Sequence, residues 1–316
     1  MNLFATVLTY CQPSANYRGE SELNRSVIQK VTDGRFDYPI ISPEAMRNAL
    51  REILAGKYKL PCNRERLEDE EQLAVRFNDY PDPERYADDF FFGYFIAAGS
   101  KERTAIRSAI EKKRSKKAAE NFTFKRDSIL RMNLAKALEP YRHNAVFTQS
   151  PLAAEGSAYQ NATTSALLHR ETAVTAFQFP FALNLNDCKP KTDWTKKLLQ
   201  AIGELNDVAG NHARSYFEMA PASIIIRLTE ALVAGYNTYG FQTTGQAPND
   251  IHTFPEVTEG ILHDPPDYDG KGFYFGGKLV KDMDQKTQTD LKARGVTLER
   301  EPRRLIDIVA NKALEG

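Results

Sequence analysis

The chain has 316 residues, of which 41% are hydrophobic, and its 42 Lys and Arg residues balance 42 Asp and Glu residues. A chain of this length can bury a sizeable core, either as one large domain or as a core with a substantial insertion. Its zero formal charge excludes a general polycation, so any binding of nucleic acid must use local patches.

The cysteines and the apolar runs restrict the environment. Cys11, Cys62 and Cys188 are scattered and odd in number, which fits neither a disulfide framework nor a zinc site. We find no signal-peptide pattern, and no apolar run approaches the roughly 18 residues that span a bilayer. We therefore expect a soluble protein of the reducing cytoplasm that has no membrane partner.

The first fifty-odd residues predict a strand at 3–12, a polar loop at 14–19, a short strand at 40–41 and a helix at about 43–54. Ser42 followed by Pro43 is a good N-cap and N1 pair. The apolar stripe of the helix leaves Arg47 and Arg51 one turn apart beside it. Backbone amides, the cap hydroxyl and two guanidinium groups thus surround one potential anion site, which suits phosphates.

Residues 60–144 have the composition of an insertion, charged and with a dense aromatic run at 90–95 (FFFGYF). Aromatic side chains that stack on bases usually alternate with polar residues on an exposed face. We therefore interpret this run as packing that anchors the insertion.

Two adjacent blocks of the insertion carry opposite charge. Residues 65–89 contain ten acidic and three basic side chains, whereas residues 101–126 contain ten basic and three acidic ones. The blocks could be solvated, mutually compensating faces. Alternatively, the basic block contacts a phosphate backbone, or the two blocks join successive subunits head to tail. The basic side chains concerned are Lys112, Lys113, Arg114, Lys116 and Lys117.

The second half of the chain continues the series of elements. Residues 145–170 have the character of a hairpin, 173–183 alternate like a strand, 192–208 predict a helix that stops at Gly210, and 223–229 predict a strand. The order strand, helix, strands, helix, strand is that of the ferredoxin-like, or RNA-recognition, topology. In the tail, 272–280 predict a strand or hairpin and 300–314 a closing helix.

Catalytic and metal signatures are missing from the sequence. It contains no HExxH, CxxC, phosphate-loop or GxSxG motif, and its five histidines have no ligand-like spacing. Asp33 and Asp37 flank a DGRF turn and could approach a bound strand, although Asp33-Gly34 is a strong turn pattern by itself. We therefore predict no catalytic residue, no metal site and no cofactor.

Three parts of the sequence together resemble a known family. They are SANYRG at 14–19, YPIISPEAMRNALR at 38–51 and a region at 205–228 with the turn GNHARS at 210–215. In this order and spacing they are similar to the CRISPR-associated Cas seven family, the crRNA-binding backbone subunit of type I Cascade, and most of all to its DevR-like, type I-B branch. The resemblance covers roughly residues 1–55, 145–183 and 192–230.

The resemblance implies an α+β fold shaped like a right hand. The expected parts are an RNA-recognition (ferredoxin-like) palm at 1–59 and 171–316, a large inserted helical finger domain at 60–144 and a β-hairpin thumb at 145–170. It implies no catalysis, and as partners a crRNA, target DNA, other Cascade subunits and further copies of the chain in a helical polymer.

The resemblance also assigns residues to these partners. Residues expected to bind the guide RNA are Asn16, Arg18, Arg25, Ser42, Arg47, Asn48, Arg51, Asn211, His212 and Arg214. The thumb residues Gln149, Ser150 and Leu152 would enter the neighbouring subunit's guide, with Leu152 filling the gap left by an unstacked base. The basic residues at 112–117 would meet target DNA on the fingers, while base pairing reads the sequence.

Two alternatives remain. Type III relatives cut RNA with an Asp in the loop after the first strand, but here that loop offers Glu20 and Glu22 and no Asp. A metal-dependent ribonuclease of the same fold would have to use Asp33 or Asp37. The other alternative is an assembly protein that polymerises through its charged blocks without RNA.

Overall fold

The computed structural model describes residues 1–14, 17–22, 25–68, 73–149, 167–208, 216–244 and 250–314. Among these residues, no helix is long and apolar enough to cross a bilayer.

The strands are numbered along the chain. Those of the first half are β1 Asn2–Leu8, β2 Gln12–Ser14, β3 Tyr17–Glu22, β4 Arg25–Ile28, β5 Lys30–Asp33, β6 Phe36–Ile41, β7 Arg64–Glu68, β8 Leu73–Phe77, β9 Tyr94–Phe95, β10 Lys125–Arg126, β11 Arg131–Met132, β12 Ala135–Ala137 and β13 Asn144–Gln149. Those of the second half are β14 Leu167–Thr175, β15 Phe177–Asn184, β16 Ser223–Thr229, β17 Gln242–Thr244, β18 Ile251–Thr253, β19 Phe273–Gly277 and β20 Thr297–Glu299.

The helices lie between groups of these strands along the chain. They are α1 Pro43–Gly56, α2 Ala87–Phe92, α3 Ser100–Lys113, α4 Lys116–Asn121, α5 Leu185–Cys188, α6 Thr192–Ile202, α7 Pro255–Leu262, α8 Lys278–Asp282, α9 Gln285–Ala293 and α10 Pro302–Leu314.

A central sheet organises the protein, with strand order β20-β19-β16-β1-β15-β12-β6-β5. β1 lies between two antiparallel neighbours, with Ala5 opposite both Phe181 of β15 and Ile226 of β16. Alternate residues of β1 and β16 enter different cores because side chains alternate along a strand. One core contains α1, α6 and α10, and the opposite face is covered by α7, α8 and α9.

The structure contains strands and helices in the predicted order, together with β12, a strand between α1 and β13 that was not predicted. The strand predicted at 40–41 is the end of β6, which precedes α1 and extends the sheet edge beyond β12. The strand that follows α1 and pairs with β15 is β12. With only three residues, Ala135–Ala137 was too short to give a recognisable alternation. Part of the segment expected to be inserted therefore belongs to the central sheet.

The inserted region has a small core of its own. Ile110 of α3, Ala119 of α4, Phe122 and Phe124 form it, with Ile96 packed at its edge. Of the aromatic run at 90–95, Phe90, Phe91, Phe92 and Tyr94 are buried as predicted.

Phe95 is the exception to the packing prediction, since it is 69% exposed. It ends the two-residue strand β9, in which successive side chains point to opposite faces, so burial of Tyr94 leaves Phe95 on the outer face.

A second, smaller sheet has the order β13-β14-β4-β3, with β2 paired to β14. The described stem of the hairpin predicted at 145–170 is present, and it runs from Asn144 opposite Thr172 to Gln149 opposite Leu167. The polar loop predicted at 14–19 was wrong in its described part, since β2 and β3 occupy it. β2 pairs with the distant strand β14, whereas β3 pairs with β4, which follows it closely along the chain, and these ladders make the polar residues strands.

The elements predicted at 223–229, 272–280 and 300–314 are present, whereas the helix predicted at 192–208 is shorter. β16, β19 and α10 match the predicted strands and closing helix. The helix predicted at 192–208 ends earlier, at Ile202, where the Gly203 N–H still reaches the carbonyl of Leu199 at 3.1 Å. Leu205 and Val208 are nevertheless buried in the main core, which explains why their apolar spacing continued the helical pattern.

Candidate nucleic-acid interface

The N-terminus of α1 is built as the sequence predicted. Ser42 is the N-cap, and its hydroxyl oxygen accepts a hydrogen bond from the Ala45 N–H at 3.2 Å. Pro43 occupies the first helical position, where its missing N–H costs nothing. The Ser42 oxygen is thus engaged in capping, which leaves its proton for another acceptor.

Arg51 has a different environment from the predicted one. Only 6% of its side chain is exposed, its Nε atom lies 3.2 Å from Oδ2 of Asp88 in α2, and one Nη donates to Asn48 Oδ1 at 2.6 Å. Asp88 also accepts hydrogen bonds from the backbone N–H groups of Asn63 and Arg64. Arg51 therefore joins α1 to α2 within the protein, and its charge has an internal partner. The sequence could not reveal this, because Asp88 follows 37 positions later.

Arg47 lies nearer the surface, with 23% of its side chain exposed. Its one ion pair among the described residues is with Glu44, at 3.5 Å, and its Nε atom is buried without a hydrogen-bond partner. Burial lowers the pKa of the Arg47 guanidinium, and Glu44 offsets this only in part. Of the two arginines predicted beside the helix stripe, Arg47 is the more exposed and the one whose buried Nε has no hydrogen-bond partner.

A cleft of about 390 Å³ separates α1 from the inserted region, and we call it the arginine cleft. Cationic side chains dominate its lining, since five of them face only two carboxylates. The cationic members are Arg47, Arg51, Arg64, Lys125 and Arg126, and the anionic ones are Glu44 and Asp127. Side chains distant in sequence thus form one positively charged concavity.

Arg64 and Arg126 were missed when the sequence was interpreted. Arg64 opens β7, and one of its Nη groups donates to the Gly93 carbonyl. Arg126 belongs to β10 and lies over the Phe90 ring, 5.7 Å from its centroid. The sequence does show a basic block that ends at Arg126. It does not show that Arg126 lies beyond the helices of this block, in a strand that faces α1.

Gly93 shapes one wall of the cleft. Its φ of +63° and ψ of −174° lie in a region that is essentially restricted to glycine. A Cβ at this position would clash with the Arg126 carbonyl oxygen and would lie 2.9 Å from the Ser128 nitrogen. Glycine therefore permits the close approach that brings β10 to the cleft.

The basic block at 112–117 is divided between two roles. Arg114 forms ion pairs with Asp79 and Asp82, both at 3.0 Å, and Lys113 pairs with Asp79 at 2.8 Å. Burial acts to raise the pKa of Asp79, but the hydrogen bonds from Lys113 and Arg114 outweigh it and hold that pKa far below its usual range. For these residues the interpretation as mutually compensating charges is the one that the structure supports.

Lys112, Lys116 and Lys117 are exposed on α3 and α4. Among the described residues, no hydrogen bond or ion pair involves their ammonium groups. These three are the members of the predicted target-contact set whose charge faces solvent.

Nine of the predicted residues lie outside the described residues or are described by their backbone alone. Asn16, Ser150, Leu152, Asn211, His212 and Arg214 lie outside the described residues. Arg18, Arg25 and Gln149 belong to β3, β4 and β13, and only their backbone is described. Their roles stay predictions.

Asp33 and Asp37 belong to the hairpin of β5 and β6, turned by Gly34 with φ +64°. Asp33 forms an ion pair with Lys136, and Asp37 accepts a hydrogen bond from Thr32 at 2.7 Å. The turn interpretation of this segment is confirmed. In the described part of the chain, no cluster of three or more histidine, cysteine or acidic residues could hold a metal ion.

Comparison with known proteins extends these observations. No family model matches the chain. It is 27% identical over 258 residues to a Myxococcus xanthus (strain DK1622) protein named CRISPR-associated protein Cas7/Cst2/DevR, covering 78% of each chain. The predicted resemblance to the Cas7 family is thereby confirmed.

Solved structures share the fold. A chain of a CRISPR RNA-guided surveillance complex in a pre-nicking state superposes with a TM-score of 0.54 at 14% identity, covering 99% of this chain and 100% of the other. A chain of a second CRISPR RNA-guided surveillance complex gives 0.52 at 11% identity, with the same coverage. The likeness thus extends over the whole chain, including the inserted region.

Proposed function

We propose that the protein is a non-catalytic crRNA-binding backbone subunit of a type I CRISPR Cascade surveillance complex, which presents its guide for base pairing with target DNA. The similarity to a Cas7/Cst2/DevR protein and the fold shared with chains of RNA-guided complexes support this function. The observation that carries it is the arginine cleft, a local positive patch on a chain whose formal charge is zero.

The topology supports the assignment of a palm. A βαββαβ unit is formed, in chain order, by β1, α1, β12, β15, α6 and β16. Across the sheet its four strands lie in the order β16, β1, β15, β12, which is fourth, first, third and second along the chain. We assign this unit to the ferredoxin-like palm, the region around α3 and α4 to the fingers, and the hairpin of β13 and β14 to the thumb.

The assembly follows from the same assignment. Copies of the chain polymerise head to tail along one guide, other Cascade subunits complete the complex, and the exposed lysines of the fingers meet target DNA. A heterologous contact of this kind generates a helix when its rotation does not close a ring. A cytoplasmic location is part of the proposal.

The surroundings of the two candidate aspartates favour a scaffold over a ribonuclease. The Asp33 carboxylate is neutralised by Lys136, and Asp37 is bonded to Thr32 across its own hairpin. Magnesium-dependent cutting of a complementary RNA, abolished by Asp33→Ala or Asp37→Ala, would instead establish the metal-dependent ribonuclease.

The function can be tested on the purified full-length protein. We expect its absorbance ratio at 260 and 280 nm to reveal bound nucleic acid, and sequencing to identify repeat-derived guides. Arg47→Ala should weaken guide binding and reduce its salt dependence. Lys286→Ala, which removes an exposed charge on α9, serves as the matched control.

Two results would contradict the proposal. One is an RNA-free protein that binds no repeat-derived RNA when it is added. The other is a polymer that survives complete RNase digestion, which would indicate an assembly protein that needs no RNA.

A further inference from the structure

We propose that the arginine cleft and the exposed ring of Phe95 together form a site for one nucleotide of the guide strand: the cleft takes its phosphodiester and Phe95 stacks on its base. This inference rests on the proposed function and deepens it, since it names the part of RNA that this junction between α1 and the inserted region binds.

Three guanidinium groups of the cleft keep N–H donors that have no acceptor. Nε atoms of Arg47, Arg64 and Arg126 are buried and have no hydrogen-bond partner. The Arg126 side chain makes no hydrogen bond or ion pair with any described residue, and Arg64 uses one Nη for the Gly93 carbonyl. Packing therefore holds these side chains in position while Nη donors remain for a ligand.

The charges of the cleft are only partly compensated. Desolvation lowers the pKa of Arg64, and the nearby positive charges of Arg51 and Arg47 lower it further, against the opposing effect of Asp88 and Asp89. Holding several partly desolvated cations together is costly unless an anion is present. A bound anion would reduce this cost, so the arrangement of charges in the cleft is preorganised for an anionic ligand.

Phe95 provides an aromatic surface beside these cations. Its ring is 69% exposed, and it pairs across the strands with Lys125, while Arg126 pairs with Tyr94. The outer face of this short ribbon therefore carries an exposed ring and an exposed ammonium group side by side. Phe95 also lines a second, mainly apolar hollow of about 440 Å³, to which Phe77, Ile96 and Ile106 contribute.

This combination selects a nucleotide over other anions. A carboxylate of an acidic peptide would accept hydrogen bonds from the arginines. It has no flat group that would stack on the Phe95 ring or pack into the apolar hollow. Single-stranded nucleic acid supplies both a phosphodiester and an unpaired base whose face stacks on aromatic side chains. Guanidinium groups also match the geometry of phosphate oxygens with paired N–H donors.

The test measures binding of a fluorescent single-stranded RNA over a range of salt concentrations. We expect Arg126→Gln to weaken binding about tenfold and to lower the slope of log affinity against log salt by about 0.7, the value for one phosphate contact on a single strand. Phe95→Ala should weaken binding roughly 5- to 150-fold without changing that slope, since stacking carries no counterion release. Phe95→Tyr, which keeps an aromatic ring, should retain most of the wild-type affinity.

Controls separate this site from general damage and from failure of the proposed function. Lys286→Gln should leave affinity and slope at their wild-type values. If Arg126→Gln does not fold, Arg126→Lys takes its place. Lysine keeps the positive charge but lacks the paired N–H donors of the guanidinium group, so weaker binding with an unchanged slope supports the site.

Several outcomes overturn the inference. Wild-type affinity and slope in both Arg126→Gln and Phe95→Ala would exclude this site while leaving RNA binding by the protein intact. Loss in Arg126→Gln without loss in Phe95→Ala, together with equal competition by polyglutamate, would indicate a general anion site. A wild-type protein that binds no RNA would contradict the proposed function itself.

Discussion

Arg51 of α1 and Asp88 of α2 form a buried ion pair, with 3.2 Å between Nε and Oδ2 and almost no exposure of either side chain. The pair joins the first helix packed on the central sheet to the region inserted after it. Its position changes the expected consequence of mutating Arg51, because the side chain supports the wall of the arginine cleft as well as lining it.

We therefore predict that Arg51→Ala mainly destabilises the protein. Removing one partner leaves the Asp88 charge buried, which typically costs about 3–5 kcal/mol. Urea unfolding should show this loss, whereas Arg47→Ala, which removes a partly exposed side chain, should change the free energy of unfolding by less than about 1 kcal/mol. Equal stability of the two variants would contradict the structural role of Arg51.

The sequence predicted some of these features well because their causes are local. The Ser42 cap, the apolar face of α1 and the alternation of β16 depend on residues next to one another. The partner of Arg51 and the convergence of Arg64 and Arg126 depend on long-range packing. A single sequence carries no signal for such pairing. The sequence therefore predicted the residues that α1 contributes to the candidate site but not those from the other wall of the cleft.

Asp89 should make stability depend on pH. Burial, reinforced by the charge of Asp88, raises the pKa of Asp89 from 3.8 to about 6. The folded protein then binds a proton that the unfolded chain releases, so this stabilisation is complete below pH 3.8 and is lost as the pH rises through 6. The contribution amounts to at most about 3 kcal/mol.

Asp89→Asn should remove this dependence. The amide oxygen can still accept the hydrogen bonds from Asn63 and Asp82. We expect the free energy of unfolding of the variant, measured in urea from pH 4 to pH 7, to fall less steeply with pH than that of the wild type. Parallel curves would show that Asp89 does not titrate in this range.

Gly93 should tolerate no side chain. Alanine would force a strained φ and ψ and a clash with the Arg126 backbone, so we expect Gly93→Ala to lower stability by more than about 2 kcal/mol. Gly56→Ala is the matched control, because a Cβ there meets no atom within 4 Å at the end of α1. It should be neutral or stabilising by up to about 1 kcal/mol. Similar losses in both variants would refute the role of Gly93 in shaping the cleft.

The basic block at 112–117 should separate into residues for stability and residues for binding. Arg114 is 11% exposed and holds Asp79 and Asp82, so Arg114→Ala should destabilise the protein by about 2–3 kcal/mol. Replacing Lys112, Lys116 and Lys117 together with alanine should cost less than about 1 kcal/mol, since surface substitutions without partners usually have small effects.

The affinity for target DNA should depend on the exposed lysines and not on Arg114. If the exposed lysines contact a target backbone, their triple variant should lower the affinity of the guide-loaded protein for complementary DNA. The slope of log affinity against log salt should then fall by about 2, which corresponds to three lost phosphate contacts on a single strand. A conservative Arg114→Lys should leave that slope unchanged, because its charge is already neutralised by two aspartates. An unchanged slope in the triple variant would instead show that these lysines only solvate the fingers.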